Sequence, residues 1–166
     1  MLLIWFTLFR MFHVVDDTDS VREVVTTMLE RQGYETISFG HPKDYINFVD
    51  SPEFRDPVAV FTDVTMPEIN GYELMDIVSR LKPELKFVIM TAEPEIRSEH
   101  ANGACMYLGK PFRLDGLIKV VDSLIRCHAF SPADDHGCEN VDDRQLFPIE
   151  NWCCPHSCKD CSPASA

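Results

Sequence analysis

Five times along the chain a short apolar run gives way to turn residues and then to apolar residues at helical spacing, and this alternation limits the folds open to it. The runs are FHVV (12–15), YETISFG (34–40), PVAVFTD (57–63), KFVIMTA (86–92) and the strand inside ACMYLGKPF (104–112). Val21, Val24, Val25, Met28 and Leu29 then recur at helical spacing up to a stop at Gly33. Pro42 opens a second helix within HPKDYINFVDS, and Gly71 starts a third through YELMDIVSRLK. EIRSEHA (95–101) reads as a short, weakly amphipathic fourth helix. Leu114, Leu117, Ile118, Val121, Leu124 and Ile125 line one face of a last one. Strands that are nearly continuous apolar runs, alternating with helices, predict an α/β domain whose parallel sheet is covered on both faces.

In such open sheets a ligand lies outside the carboxyl ends of the strands, at the point where the strand order reverses. Asp16 and Asp17 end the first strand, Asp63 the third and Thr91 the fourth, while Lys110 follows the fifth. Five polar groups from four segments thus meet at one edge. Three carboxylates gathered together repel one another and need a cation to stay ionised. Oxygen donors with room for water suit Mg²⁺. A lysine ammonium and a threonine hydroxyl can hold an incoming phosphoryl oxygen, so the set implies phosphoryl transfer to a carboxylate. Each residue also has a plainer reading: Asp16 or Asp17 as a helix cap, Thr91 as an ordinary strand residue, Tyr107 as core packing.

Composition narrows the partners. At 166 residues and 45% hydrophobic the chain can bury one good-sized core, and its formal charge of −12 excludes a sequence-independent nucleic-acid binder. MLLIWFTLFRMF (1–12) is broken by Arg10 and falls short of the roughly 18 residues of a membrane span. It has no basic leader and no cleavage site. No membrane anchor is expected, and residues 1–10 read as an extension or as a mis-assigned start ahead of Met11. Of the 7 cysteines only Cys105 precedes Cys127, which suits a cytoplasmic domain with a cysteine-rich tail.

The blocks VVDDT, FTDVTMPEINGYEL, VIMTA and YLGKPF, in this order within residues 11–128, resemble the receiver domains of two-component response regulators. The resemblance implies a flavodoxin-like, doubly wound (βα)5 fold with a five-stranded parallel sheet of order 2-1-3-4-5. It implies Asp63 as phospho-acceptor, Asp17 as a direct Mg²⁺ ligand, Asp16 as a ligand through water, and the backbone carbonyl of Thr65 as a further donor. Thr91 and Lys110 match the hydroxyl and ammonium that bind the phosphoryl group, and Tyr107 matches the aromatic that turns inward as the hydroxyl moves. Lys110-Pro111 matches the family's cis peptide. Thr65 and Glu93 occupy positions that tune phosphoryl lifetime. The implied partners are a histidine kinase or phosphotransfer protein and an unidentified downstream protein. A homodimer through the face of the fourth helix, fifth strand and last helix is a further implication. Such a protein is a phospho-acceptor that assists its own phosphorylation and dephosphorylation rather than an enzyme.

The expected organisation is an extension (1–10), a receiver domain (11–130) and an acidic, cysteine-rich tail (131–166). The tail has no room for a winged-helix output of about one hundred residues. A stand-alone switch acting by protein–protein contact, with no nucleic-acid partner, is therefore expected. Within the tail Cys154, Cys158 and Cys161 form C-x3-C-x2-C, with Cys153, His156, Cys138 and His136 nearby. Zn²⁺, an iron–sulfur cluster, or no ligand at all with incidental or redox-reactive thiols are the readings left open there. The alternative function is a metal-binding or redox-sensing interaction module acting through that tail.

Overall fold

β1 (Met11–Val15), β3 (Ala59–Asp63) and β4 (Phe87–Thr91) are buried along their whole length. Unbroken apolar runs give this outcome, because a central parallel strand is covered on both faces. The computed structural model, which describes residues 10–92 and 103–129, flanks them with β2 (Glu35–Phe39) at one edge and β5 (Met106–Gly109) at the other. All pairings are parallel, in the order β2-β1-β3-β4-β5, which is the doubly wound, flavodoxin-like order expected. The chain reverses direction across the sheet at β1, which pairs with β2 on one side and β3 on the other. Val15 stands opposite Thr62, so the residues that follow, Asp16 and Asp63, emerge side by side at the switch point.

The helices among the described residues are α1 (Asp19–Arg31), α2 (Pro42–Val49), α3 (Gly71–Leu81) and α4 (Leu114–Ala129). The expected helix over 95–101 lies outside the described residues. α1 buries Val25 and Leu29, but Val24 is 46% exposed. Adjacent residues point about 100° apart around a helix, which turns Val24 off the face that Val25 covers. In α4 the buried stripe runs through Leu117, Val120, Val121 and Leu124, which leaves Leu114 at its margin and exposed. α1 gives out into Gly33, whose φ of +86° is one that a side chain disfavours. α3 begins on a capping box: Asn70 accepts from the backbone of Tyr72 and Glu73, and the Glu73 carboxylate accepts from Asn70 N–H.

The sheet separates two cores. One packs Phe12, Val14, Phe61, Val88 and Met90 with residues of α1 and α4; the other packs Val15, Val60 and Ile89 with residues of α2 and α3. His13 belongs to the second side by strand alternation. It is fully buried among Tyr45, Phe48 and Phe54, with Nδ1 3.1 Å from the Tyr45 hydroxyl and Nε2 without a hydrogen bond. Burial, reinforced by Arg55, lowers its pKa from 6.5 to about 4, so it is neutral at physiological pH.

Candidate functional site at the carboxyl edge of the sheet

Asp16 leaves β1 with no exposed surface, and each of its polar groups is held. Its N–H donates to the Phe39 carbonyl at 3.1 Å, and Oδ1 accepts from Thr18 N–H at 2.9 Å. Oδ2 accepts from the Lys110 ammonium at 2.8 Å. The same ammonium donates to Asp63 Oδ1 at 2.7 Å. Asp63 is the last residue of β3 and only 7% exposed, while Asp17 is exposed at the mouth of the cluster. One carboxylate oxygen from each of Asp16, Asp17 and Asp63 lies within 4.8 Å of the others.

The backbone fixes these positions. Val64 N–H donates to Met90 O, and Lys110 N–H to Thr91 O at 2.6 Å, so the loops leaving β3 and β5 are pinned to β4. Gly71 N–H donates to Val64 O at 3.0 Å, drawing the start of α3 against the acceptor loop. A Cβ on Gly71 would lie 2.1 Å from the Asp63 carbonyl oxygen, so this approach requires glycine. Lys110-Pro111 is cis, as the resemblance implies.

Burial raises the pKa of Asp63, and the neighbouring Asp16 and Asp17 add to this against the Lys110 hydrogen bond. Burial acts to lower Lys110, but the bonds to Asp16 and Asp63 outweigh it and hold the ammonium above its ordinary value. The Lys110 ammonium thus bonds two of the three clustered carboxylates and leaves Asp17 without it. The donor set fits a divalent, oxygen-seeking ion: hard carboxylate oxygens, one of them open to water, with negative charge that a single lysine does not balance.

Thr91 and Tyr107 are both buried, at 2% and 3% exposure. Thr91 stands opposite Gly109 in the β4–β5 ladder, at the same edge as the carboxylates, whereas Tyr107 is two residues below it opposite Ile89. Tyr107 packs in the core that includes Tyr72, and burial raises its phenol pKa, with Tyr72 adding to the effect. Thr65 lies two residues after Asp63 and is exposed. Glu93 and the tail residues Cys138, Cys153, Cys154, Cys158, Cys161, His136 and His156 lie outside the described residues. Sequence reasoning missed Arg22, which reaches back from α1 to the Asp16 carbonyl. An arginine at this helix position carries no motif, and only the loop geometry reveals it.

Residues 12–122 match the family model described as the response regulator receiver domain. The DNA-binding transcriptional regulator NtrC of Proteus hauseri is 29% identical over 131 residues, covering 77% of this chain and 27% of that protein. NtrC of Bradyrhizobium sp. is 32% identical over 134 residues with the same coverage. The chain therefore spans about a quarter of the length of these relatives. Among solved structures, the response regulator TrrA of Thermotoga maritima in complex with Mg²⁺-BeF superposes with a TM-score of 0.62 at 27% identity. That match covers 69% of this chain and 98% of TrrA. The chemotaxis response regulator CheY4 of Vibrio cholerae gives the same TM-score and coverage at 23% identity.

Proposed function

The chain belongs to the response regulator receiver domain family, and from that premise we propose that Asp63 is the residue on which its signal is written. Receiver domains are the phosphorylation-activated switches of two-component signalling, and this chain has their fold. The observation that carries the assignment is the Lys110 ammonium bridging Asp16 and Asp63, with Asp17 completing a three-carboxylate cluster at the switch point.

On this reading Asp17 and Asp63 hold Mg²⁺ directly, Asp16 holds it through water, and the Thr65 carbonyl is a further donor. The ion, when bound, neutralises charge on the phosphoryl oxygens. The chain's own residues do the rest. Lys110 holds Oδ1 of Asp63, which orients the carboxylate. An Asp63 oxygen attacks phosphorus, the bond from phosphorus to the donor breaks, and the donor leaves with that electron pair. Lys110 and Thr91 then bind the transferred group, and Tyr107 reports the movement of Thr91. The sheet edge thus serves as a phospho-acceptor that assists its own modification, supplied by a histidine kinase or phosphotransfer protein and read by a downstream protein. The receiver unit spans 11–130, with 131–166 as an appended tail.

Beryllofluoride, a mimic of a carboxylate-bound phosphoryl group, tests the site. With Mg²⁺ it should raise the melting temperature of the protein, as any ligand selective for the native state does, and have no effect on Asp63→Asn. A shift of equal size in both proteins would refute the assignment.

A further inference from the structure

Among the described residues the Asp17 carboxylate makes no hydrogen bond, so its position rests on its own rotamer and on the backbone from which it starts. Two side chains hold that backbone: Asp16 Oδ1 accepts from Thr18 N–H across Asp17 at 2.9 Å, and Arg22 reaches in from α1. Arg22, in the second turn of α1, donates Nη1–H to the Asp16 carbonyl oxygen at 2.6 Å and pairs through Nη2 with Asp19. The Asp16 carbonyl belongs to the peptide group that continues into Asp17, and a peptide group is planar. Fixing the direction of that carbonyl therefore fixes the plane from which Asp17 departs.

The guanidinium has a seat made for it. Its Nη1 lies 3.0 Å from where a Cβ on Gly40 would be, so the glycine after β2 leaves the space the arginine fills. Phe39, one residue earlier, accepts the hydrogen bond from Asp16 N–H. The N–H side of the Asp16–Asp17 turn is thus tied to the β2–α2 corner through Phe39, and its carbonyl side to α1 through Arg22, which packs beside Gly40. The Arg22 side chain is only 20% exposed, which makes a bond from a charged donor worth more than it would be in open water.

We propose that Arg22 is a positioning residue for the divalent cation: it locks the Asp16–Asp17 peptide so that Asp17 faces Asp16 and Asp63, with Gly40 keeping the space the lock needs. This rests on the assignment of Asp17 as a metal ligand. It also makes a prediction of opposite sign to simple electrostatics. Removing a cation beside an anionic cluster should tighten metal binding, whereas removing a lock should weaken it. Outer groups that orient metal ligands are typically worth about 10–100-fold in affinity.

The test is Mg²⁺ binding by calorimetry on the full chain, repeated with Mn²⁺ by electron paramagnetic resonance. Arg22→Met should weaken affinity about tenfold despite losing a positive charge. Gly40→Ala keeps every charge and sets a methyl group 3.0 Å from Nη1, so the guanidinium must shift by a few tenths of an ångström and affinity should fall, by less than in Arg22→Met, with the fold intact by circular dichroism. In an Asp17→Asn background Arg22→Met should have no further effect, which a general loss of structure would not reproduce. Unchanged or tighter binding in Arg22→Met and Gly40→Ala would overturn the proposal and leave the metal site standing. Wild-type affinity in Asp17→Asn alone would remove the metal-site assignment and the proposal with it.

Discussion

Gly71→Ala should damage the site more than the same change at Gly33 or Gly40. The new Cβ would lie 2.1 Å from Asp63 O, 2.9 Å from Asp63 C and 3.1 Å from Val64 Cα. All three are backbone atoms, so no rotamer change relieves the clash. Restoring an ordinary contact requires the start of α3 and the acceptor strand to part by about 1 Å, which strains the Gly71 N–H···O Val64 bond. Overpacking of this kind costs about 1–3 kcal/mol, and a weakened buried hydrogen bond adds about 1 kcal/mol. Because the displaced atoms belong to Asp63, chemistry should suffer as well: a misplacement of about 1 Å costs on the order of 100-fold in rate. Urea unfolding followed by circular dichroism gives the first quantity, and the rate of Mg²⁺-dependent labelling by acetyl phosphate gives the second. Gly33→Ala is the control. Gly33 has φ +86° with nothing within 4 Å of the added carbon, so it should lose about 1 kcal/mol with an unchanged labelling rate. If Gly71→Ala stays within about 0.5 kcal/mol of wild type and labels normally, the reasoning from close approach is wrong.

Two further outcomes follow from the buried charges. Lys110→Met leaves Asp16 and Asp63 without their shared ammonium, so in EDTA it should destabilise the fold by about 2–3 kcal/mol. Mg²⁺ should recover part of that by supplying the missing positive charge, and equal urea midpoints with and without Mg²⁺ would contradict this. His13 is neutral in the fold, with a pKa near 4 against 6.5 when unfolded. The unfolded chain therefore binds its proton first, so stability from this residue is complete above about pH 6.5 and is lost as pH falls toward 4. The gap corresponds to about 3 kcal/mol. His13→Leu should flatten the wild-type decline between pH 6.5 and 4.5; a variant with the same slope would show that His13 is not the group responsible.

The strand and helix order was legible because buried parallel strands leave uninterrupted apolar runs and because turn residues mark their ends. Asp63 could be placed at an edge since PVAVFTD ends in the only acid of its run, and Lys110 because its block follows the fifth strand. What the sequence did not reveal were the contacts that turn edge residues into a site. That Lys110 bridges Asp16 and Asp63 depends on the register of strands far apart in the chain. The seat of Arg22 against Gly40 and the approach of Gly71 to Asp63 are distances between backbones, which no periodicity encodes. Val24 and Leu114 fit a helical spacing and yet face outward, because spacing alone does not say where the edge of the buried stripe lies. His13 reads as one more residue in an apolar run, and only its complete burial among aromatic rings, near Arg55, shows that it is held neutral.

The most direct test of the account is where a phosphoryl group lands. The full chain is incubated with acetyl phosphate and Mg²⁺, digested at low temperature, and its peptides are read by tandem mass spectrometry. A phosphoryl adduct on Asp63, absent in EDTA and absent in Asp63→Asn, is the predicted result. No adduct on wild-type protein under conditions that label another receiver domain, or an adduct that persists in Asp63→Asn, would contradict it.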